Sequence, residues 1–391
     1  MLSQIDTIVM LMLENRSLDN VLGWLYHEQL PQHVVPADSS PQFDGIPPNA
    51  LNSYRTTAYS PARGTHAMAQ PCRVPRWDPY EPFEHVQVQL FADAYGNMPA
   101  NPWVTVPGMA GFVYDFNAFY TTDQEVMGAY GPDQLPVLYG LATNFAVSDR
   151  WFASVPTQTD ANRAFSICGT SLGGVDNGTP ATYDAPTLFN ALAGQRSFGI
   201  YWQYHGLGSG DPWTGSCYTV DLFPRIQQAI HPERGVVQPY TAFLDALAAG
   251  EDIPQFCYIE PFWGVGKGYP TGHDFIGVQG NDYHPPTWIG PAEADLNTLY
   301  RALRSSKQWA HMLFIITFDE HGGTWDHVPP RPTVAPDDSA STFDFTTLGV
   351  RVPTILVSPY VAPGTVFVRQ PAPPMISTTP RTLRPFLVGL A

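Results

Sequence analysis

Leu313-Phe314-Ile315-Ile316-Thr317-Phe318-Asp319-Glu320-His321-Gly322-Gly323-Thr324-Trp325-Asp326-His327-Val328 is the stretch whose reading decides the fold. It opens on a short apolar, β-favouring run, the composition of a strand covered on both faces. The run breaks off at two carboxylates, an imidazole and two glycines. Carboxylates are heavily penalised inside a dry sheet, so they mark the strand's carboxyl edge. That edge is where open α/β sheets keep their ligand crevice. The paired glycines permit a sharp turn and a close approach of backbone to whatever lies there. The plain alternative is a strand ending in a solvated acidic turn, and this stretch alone does not separate the two.

Working outward, residues 7–13 (TIVMLML) repeat the pattern and end in Glu14-Asn15-Arg16-Ser17. Ser17 can cap a helix running through Leu18, Val21, Leu22 and Leu25. Strand, acidic residues and capped helix make a βα unit. Further strands are expected over 144–148, 197–202, 256–259 and 351–358, the last with Pro353 near its start. Helices are expected over 135–141, 164–171, 186–193, 240–248 and 292–303, and around His85. Strands alternating with helices predict an α/β fold: a doubly wound, mostly parallel sheet with helices on both faces. Residues 1–391 read as a single catalytic domain, with 31–80 as a long ordered loop insertion over the sheet's edge.

The chain has 391 residues, 14% of them charged, with 40 Pro and 33 Gly, which suits ordered loops around a large core rather than disorder or coiled coil. A net charge of −16 repels nucleic acid and anionic membranes at long range. Any phosphate bound here must meet local positive charge or a cation. No apolar run approaches the roughly 18 residues of a spanning helix, so no transmembrane segment is expected. Cys72, Cys168, Cys217 and Cys257 form no CxxC pair, which argues against structural zinc and leaves disulfides open. Residues 1–30 lack a basic start and a cleavage site, so the compartment stays open between cytoplasm and export with the leader removed.

Two strand ends thus offer oxygen ligands, Glu14 with Asn15 and Asp319 with Glu320. Such a set suits Ca²⁺, Mg²⁺ or Mn²⁺, and nearby histidines would shift the balance toward Zn²⁺. The competing reading of Glu14-Asn15 is helix capping and dipole compensation. Thr159, in Pro156-Thr157-Gln158-Thr159-Asp160-Ala161-Asn162-Arg163, is either a helix cap or a nucleophile, with Arg163 and a helix N-terminus holding phosphate. His284 sits in a rigid loop, Asn281-Asp282-Tyr283-His284-Pro285-Pro286, that can present an imidazole. His85, His205 and His327 are weaker candidates, and Trp325-Asp326-His327 can brace the Asp319 turn. Gly169-Thr170-Ser171-Leu172-Gly173 matches the G-x-S-x-G elbow of serine hydrolases, with Asp319 and His327 as nominal partners. The helix expected before Ser171 and the glycines after it favour a helix C-cap instead.

Taken together, Glu14–Ser17, Pro107–Phe112, Met127–Tyr130, Leu135-Pro136, Phe145–Phe152, Thr159–Arg163, His284–Pro286, Phe318–Val328 and Gly349–Thr354 resemble the phosphoesterases that join bacterial phospholipases C with an acid-phosphatase branch. The resemblance implies an alkaline-phosphatase-like α/β fold. It implies one or more divalent metal ions held by Glu14, Asn15, Asp319 and Glu320, faced by a nucleophile at Thr159. His284 and His85 match the family's active-site histidines. The family's Gly-Pro-Thr-x-Pro-Asn-Arg is altered here, which leaves Thr157 beside Thr159, and counting back from Asn162-Arg163 favours Thr159. The implied activity is hydrolysis of a small-molecule phosphate ester through a phospho-enzyme, with phosphocholine-type diesters first and phosphomonoesters as the alternative. The 13% aromatic content, with Tyr201, Trp202, Trp263, Tyr283, Trp288 and Trp325 in candidate loops, suits a quaternary ammonium, packing being the alternative. Rival classes are a serine esterase on Ser171 and a non-catalytic metal-binding relative. The C-terminal domains of longer phospholipases are not expected here, and nothing speaks to the oligomeric state.

Overall fold

A computed structural model describes residues 4–40, 42–63, 73–120, 125–203, 217–263, 280–339 and 341–368. The strands in chain order are β1 (Thr7–Leu13), β2 (His33–Val35), β3 (Asn52–Tyr54), β4 (Thr57–Tyr59), β5 (Ala62–Arg63), β6 (Gly128–Ala129) and β7 (Ala146–Ser148), then β8 (Phe198–Trp202), β9 (Gly235–Pro239), β10 (Phe256–Ile259), β11 (Met312–Phe318), β12 (Thr354–Val357) and β13 (Thr365–Phe367). The helices are α1 (Leu18–Leu22), α2 (Phe83–Phe91), α3 (Phe112–Phe119), α4 (Pro136–Asn144), α5 (Thr159–Cys168), α6 (Leu188–Leu192), α7 (Tyr218–Leu222), α8 (Tyr240–Ala248) and α9 (Gly290–Ser305).

Nine strands form one sheet in the order β2-β13-β7-β12-β11-β1-β10-β8-β9. Every pairing is parallel except those of β12, which runs antiparallel to β11 and β7. The expected mostly parallel sheet is thus the one observed. The alternation of side chains along β1 and β11 explains the two layers. Val9, Leu11, Leu13, Phe314, Ile316 and Phe318 face a core shared with α1, α4, α8 and α9. Met10, Met12, Leu313 and Ile315 face a second core with α5, α6 and α7. Each such side chain contributes about 1.5–3 kcal/mol when fully buried, and the strands are apolar apart from Thr7, which opens β1, and Thr317, whose hydroxyl is bonded to that of Thr354 at 2.7 Å.

Some boundaries differ from expectation. Residues 351–353 are not part of a long last strand, because Arg351 is drawn into an ion-pair network described below. The helix expected over 164–171 starts earlier, at Thr159, and stops at Cys168, where Gly169 adopts φ +73°. The segment 31–80 is more than an insertion over the edge. His33–Val35 joins the main sheet beside β13, β3 and β4 form a hairpin, and β5 pairs with β6. Cys168, Cys217 and Cys257 are buried free thiols, while Cys72 lies outside the described residues. Among the described residues no helix is long and apolar enough to cross a membrane.

Candidate active site

Register brings the two acidic stretches together. Leu13 pairs with Phe318, so Glu14 and Asp319 leave the sheet side by side. The backbone then locks them: Asp319 N donates to Leu13 O at 3.1 Å and Arg16 N to Glu320 O at 3.0 Å. Asn15 takes a left-handed φ of 56°, a conformation asparagine tolerates better than most residues. Gly322, at φ +60°, passes so close that a Cβ would lie 2.2 Å from Asn15 O. A side chain there would push the two loops apart, so the Gly-Gly pair sets the site's width. Ser17 caps α1 by accepting from Asn20 N, as its position predicts.

Helix α5 delivers the third element. Its N-cap is Gln158, which makes no side-chain cap bond, so Thr159 is the first helical residue and not the cap. Asn162 fixes the entry loop, accepting from Val155 N at 2.9 Å and donating to Thr157 O at 2.9 Å. Thr159 Oγ1 then donates to Glu14 Oε2 at 3.2 Å. Arg163, one turn later on the same helix face, donates to Glu14 Oε1 at 2.5 Å and to Asp319 Oδ2 at 3.2 Å. Thr157 Oγ1 instead donates to Val175 O, away from these carboxylates. Of the two threonines, Thr159 is the one in the pocket.

Glu320 uses Oε2 to accept from Gly322 N at 2.6 Å, while its Oε1 is buried without a hydrogen-bond partner. Asn15 Oδ1 is likewise buried and unpartnered. Its Nδ2 lies 3.0 Å from His284 Nε2, and His284 Nδ1 lies 2.5 Å from Pro285 O. One tautomer satisfies both contacts: Nδ1–H donates to Pro285 O and Nε2 accepts from Asn15. His284 therefore holds the Asn15 amide by its nitrogen and leaves the carbonyl oxygen toward the pocket.

His85 sits in the first turn of α2. Its Nδ1 bonds Asp115 Oδ1 at 2.9 Å, and its ring stacks on Tyr80, rather than meeting Glu14, Asn15, Asp319 or Glu320. Two carboxylates of this segment that sequence reasoning missed act electrostatically near the site, Glu81 with Asp319 and Asp78 with Glu81 and Asp282. Burial, with Asp319 nearby, pushes Glu81 up to about 7, and burial, with Glu81 nearby, pushes Asp78 up to about 8. Burial and then repulsion from Asp319 raise Glu14 and Glu320 well above the usual carboxylate range. The available signal was two acidic residues in a loop pinned by Pro79 and Pro82 just before a helix.

The other candidates separate cleanly. Ser171 Oγ donates to Gly174 O at 2.7 Å and follows helix α5 rather than a strand, so no nucleophile elbow forms. His327 bonds Asp19 at 2.6 Å and Asp44 at 3.1 Å, and Arg351 bonds Asp19 and Asp326. Burial opposes the charge on His327, but the bonds to Asp19 and Asp44 hold it up to about 9. Among the described residues, Asp19, Asp326 and His327 are the one group of three His, Cys, Asp or Glu side chains with ligand atoms within 4.8 Å of one another. Arg351 already balances that group and His327 holds its proton, so it is an ion-pair hub joining α1 to the Asp319 turn. His205 and residues 264–279 lie outside the described residues. Tyr201, Tyr283 and Trp325 are buried in the cores, whereas Trp263 lies over Arg163, with its ring centroid 4.5 Å from Cζ.

The pocket's donors fit a hard cation. They are carboxylate and amide oxygens, and two of them, on Asn15 and Glu320, are buried without a partner. Arg163 bridges Glu14 and Asp319 and supplies part of the balancing charge.

The Phosphoesterase family model matches residues 5–370. The chain belongs to the phosphoesterase family. It is 30% identical over 376 residues to non-specific phospholipase C3 of Arabidopsis thaliana, covering 93% of this chain and 65% of that protein. It is 24% identical over 401 residues to phospholipase C B of Mycobacterium tuberculosis, covering 92% of this chain and 69% of that protein. The chain thus spans a little under two thirds of the first of these relatives. A solved structure of a protein in the alkaline phosphatase superfamily from Vibrio parahaemolyticus matches at 11% identity and a TM-score of 0.34, covering 61% of this chain and 57% of that one, too slight a likeness to bear on the argument.

Proposed function

We propose that the chain hydrolyses phosphate esters with Thr159 as the nucleophile. The observation that carries this reading is the Thr159 hydroxyl, presented by the first turn of α5 and directed at Glu14 Oε2, with Arg163 of the same helix beside it. Membership of the phosphoesterase family supports the substrate class. Thr159 Oγ gives up its proton toward Glu14 and attacks phosphorus, forming a phosphothreonine, while the α5 N-terminus and Arg163 meet the phosphoryl oxygens. His284, buried beside Asn15, is the general acid of this reading: it takes up a proton at Nε2 in place of the Asn15 contact and passes it to the leaving oxygen. Water then releases the phosphate and restores Thr159. Glu14, Asn15, Asp319 and Glu320 would hold a divalent cation, and an all-oxygen set favours Ca²⁺, Mg²⁺ or Mn²⁺ over Zn²⁺. When bound, that ion supplies charge neutralisation at the phosphoryl group.

The substrate reading is a small-molecule phosphate ester, with phosphocholine-type diesters ahead of phosphomonoesters because the curated relatives are phospholipases C. The test is a metal-stripped and metal-restored sample assayed on p-nitrophenyl phosphorylcholine and on p-nitrophenyl phosphate. Activity should vanish on stripping and return with one of Ca²⁺, Mg²⁺, Mn²⁺ or Zn²⁺. Undiminished turnover after stripping would overturn the metal dependence, and a preference for the bare monoester would replace the choline reading with a phosphatase.

A further inference from the structure

Residues 94–114 contain no charged side chain, in a chain whose net charge is −16. Burial would explain that, but much of this stretch lies at the surface. Among the described residues, Val104 and Val106 are the most exposed large hydrophobic side chains, each at 84%, and Tyr95, Met98 and Phe119 are exposed to either side of them in the chain. Single exposed hydrophobics need no explanation, whereas several on one uncharged stretch mark an interaction site.

The stretch is held in one shape at both ends and in the middle. Asp93 accepts from Tyr95 N at 2.8 Å and from Asn97 N at 2.9 Å. These bonds close a turn at Gly96, where φ is +81° and a Cβ would lie 2.1 Å from the Tyr114 ring. Trp103 stacks on Phe83, the first residue of α2, at 5.3 Å between ring centroids, and lies edge-on to Phe91 of the same helix at 5.0 Å. Thr105 spends both its N–H and its hydroxyl on Pro102 O, at 2.9 and 2.7 Å. The two exposed valines thus flank a residue whose donors are already satisfied, which lowers the cost of leaving water. At the far end, Met109 N donates to Leu90 O and Gly111 N to Gln89 O, each at 3.0 Å. Gln89 in turn meets His321, the residue after Glu320, at 2.8 Å between Oε1 and Nε2. The exposed valines and the pocket therefore belong to one packed unit, joined through α2.

We propose that residues 94–114 form an interfacial docking surface, which seats Val104 and Val106 in the headgroup region of a zwitterionic phospholipid bilayer and so brings the pocket to lipid. Charge selects the lipid. An uncharged apolar loop gains from burial at any bilayer, while a net charge of −16, with Asp93 exposed at the start of the stretch, opposes approach to an anionic one. The inference rests on the phospholipase-type reading of the substrate. The experiment is sedimentation of the full chain with dioleoylphosphatidylcholine vesicles in EDTA, so that no lipid is consumed. Wild type should bind these vesicles at least about tenfold more tightly than phosphatidylglycerol vesicles. Val104→Asp with Val106→Asp should weaken the binding at least about tenfold, since withdrawing one valine from water is worth about that factor. With metal restored, the same variant should keep the wild-type rate on soluble p-nitrophenyl phosphorylcholine. Leu30→Asp, at a side chain 75% exposed outside the stretch, should change neither property. A wild type that ignores phosphatidylcholine vesicles or prefers phosphatidylglycerol would overturn the surface, as would a double variant that binds like wild type. Self-association of the free protein that the double variant loses, without vesicle binding, would assign the valines to a second copy of the chain and overturn it too. Vesicle binding without turnover of either p-nitrophenyl ester would sink the catalytic reading and leave the surface standing.

Discussion

Thr159→Ala separates chemistry from architecture, because the structure assigns the hydroxyl almost no structural duty. Thr159 is not the N-cap of α5, so its loss removes no capping bond. Alanine is the better helix former by about 0.5 kcal/mol. The single deleted interaction is the 3.2 Å bond to Glu14 Oε2, and leaving that oxygen unpaired costs about 1–3 kcal/mol. Glu14 Oε1 keeps both contacts from Arg163. The net loss is about 1–2 kcal/mol, within the margin of a folded domain. Losing an activated nucleophile instead costs roughly three to six powers of ten in rate, or about 4–8 kcal/mol of barrier. The assay is initial-rate hydrolysis of p-nitrophenyl esters alongside urea unfolding followed by circular dichroism. Acid-quenched wild type should carry a phosphoryl group on the peptide containing Thr159, and the variant should carry none. Thr157→Ala and Ser171→Ala should keep wild-type rates. A folded Thr159→Ala protein within about tenfold of wild-type activity would refute the nucleophile.

Arg351→Met should lower the unfolding free energy by about 3–5 kcal/mol, since it takes the guanidinium from buried Asp326 and leaves buried Asp19 with His327; a loss under about 1 kcal/mol in chemical denaturation would mean that the hub carries little. His327 binds its proton more tightly folded, at about 9, than its ordinary value near 6.5. The stability it contributes is therefore complete below about pH 6.5 and is lost as pH rises through about 9. Unfolding measured from pH 6 to 10 should show this decline in wild type and a flatter profile in His327→Gln; equal slopes would contradict the assignment.

The sheet was legible where composition leaves little choice. β1, β8, β10 and β11 are apolar runs bounded by polar residues, and the carboxylates at their ends announced the pocket. The edge strands β2 and β9, and β13 beside β2, were missed because they are short or half polar, so neither period nor run length marks them. The start of α5 was read too late because Thr159, Asp160 and Asn162 look like loop residues, although in the first turn they serve as hydroxyl donor, dipole partner and loop clamp. Glu81 went unread because a carboxylate in a proline-bounded loop looks like solvated surface, whereas it is only 6% exposed. The aromatic loops misled in the opposite sense: most of those rings close the cores.

Register between β1 and β11 joins residues some three hundred positions apart in the chain. During synthesis the first strand has neither of its neighbours until β10 and then β11 have been made, and Glu14 has no Asp319 beside it until some three hundred further residues have followed. An interrupted chain thus lacks the paired strand ends, and the pocket does not form before Asp319 has been made. The same layout makes the enzyme divisible. A break in the stretch 204–216, between β8 and α7, would give one piece bearing Glu14 and Thr159 and another bearing Asp319, each inert alone. Their association would restore turnover, so the two pieces would report their own meeting by hydrolysis.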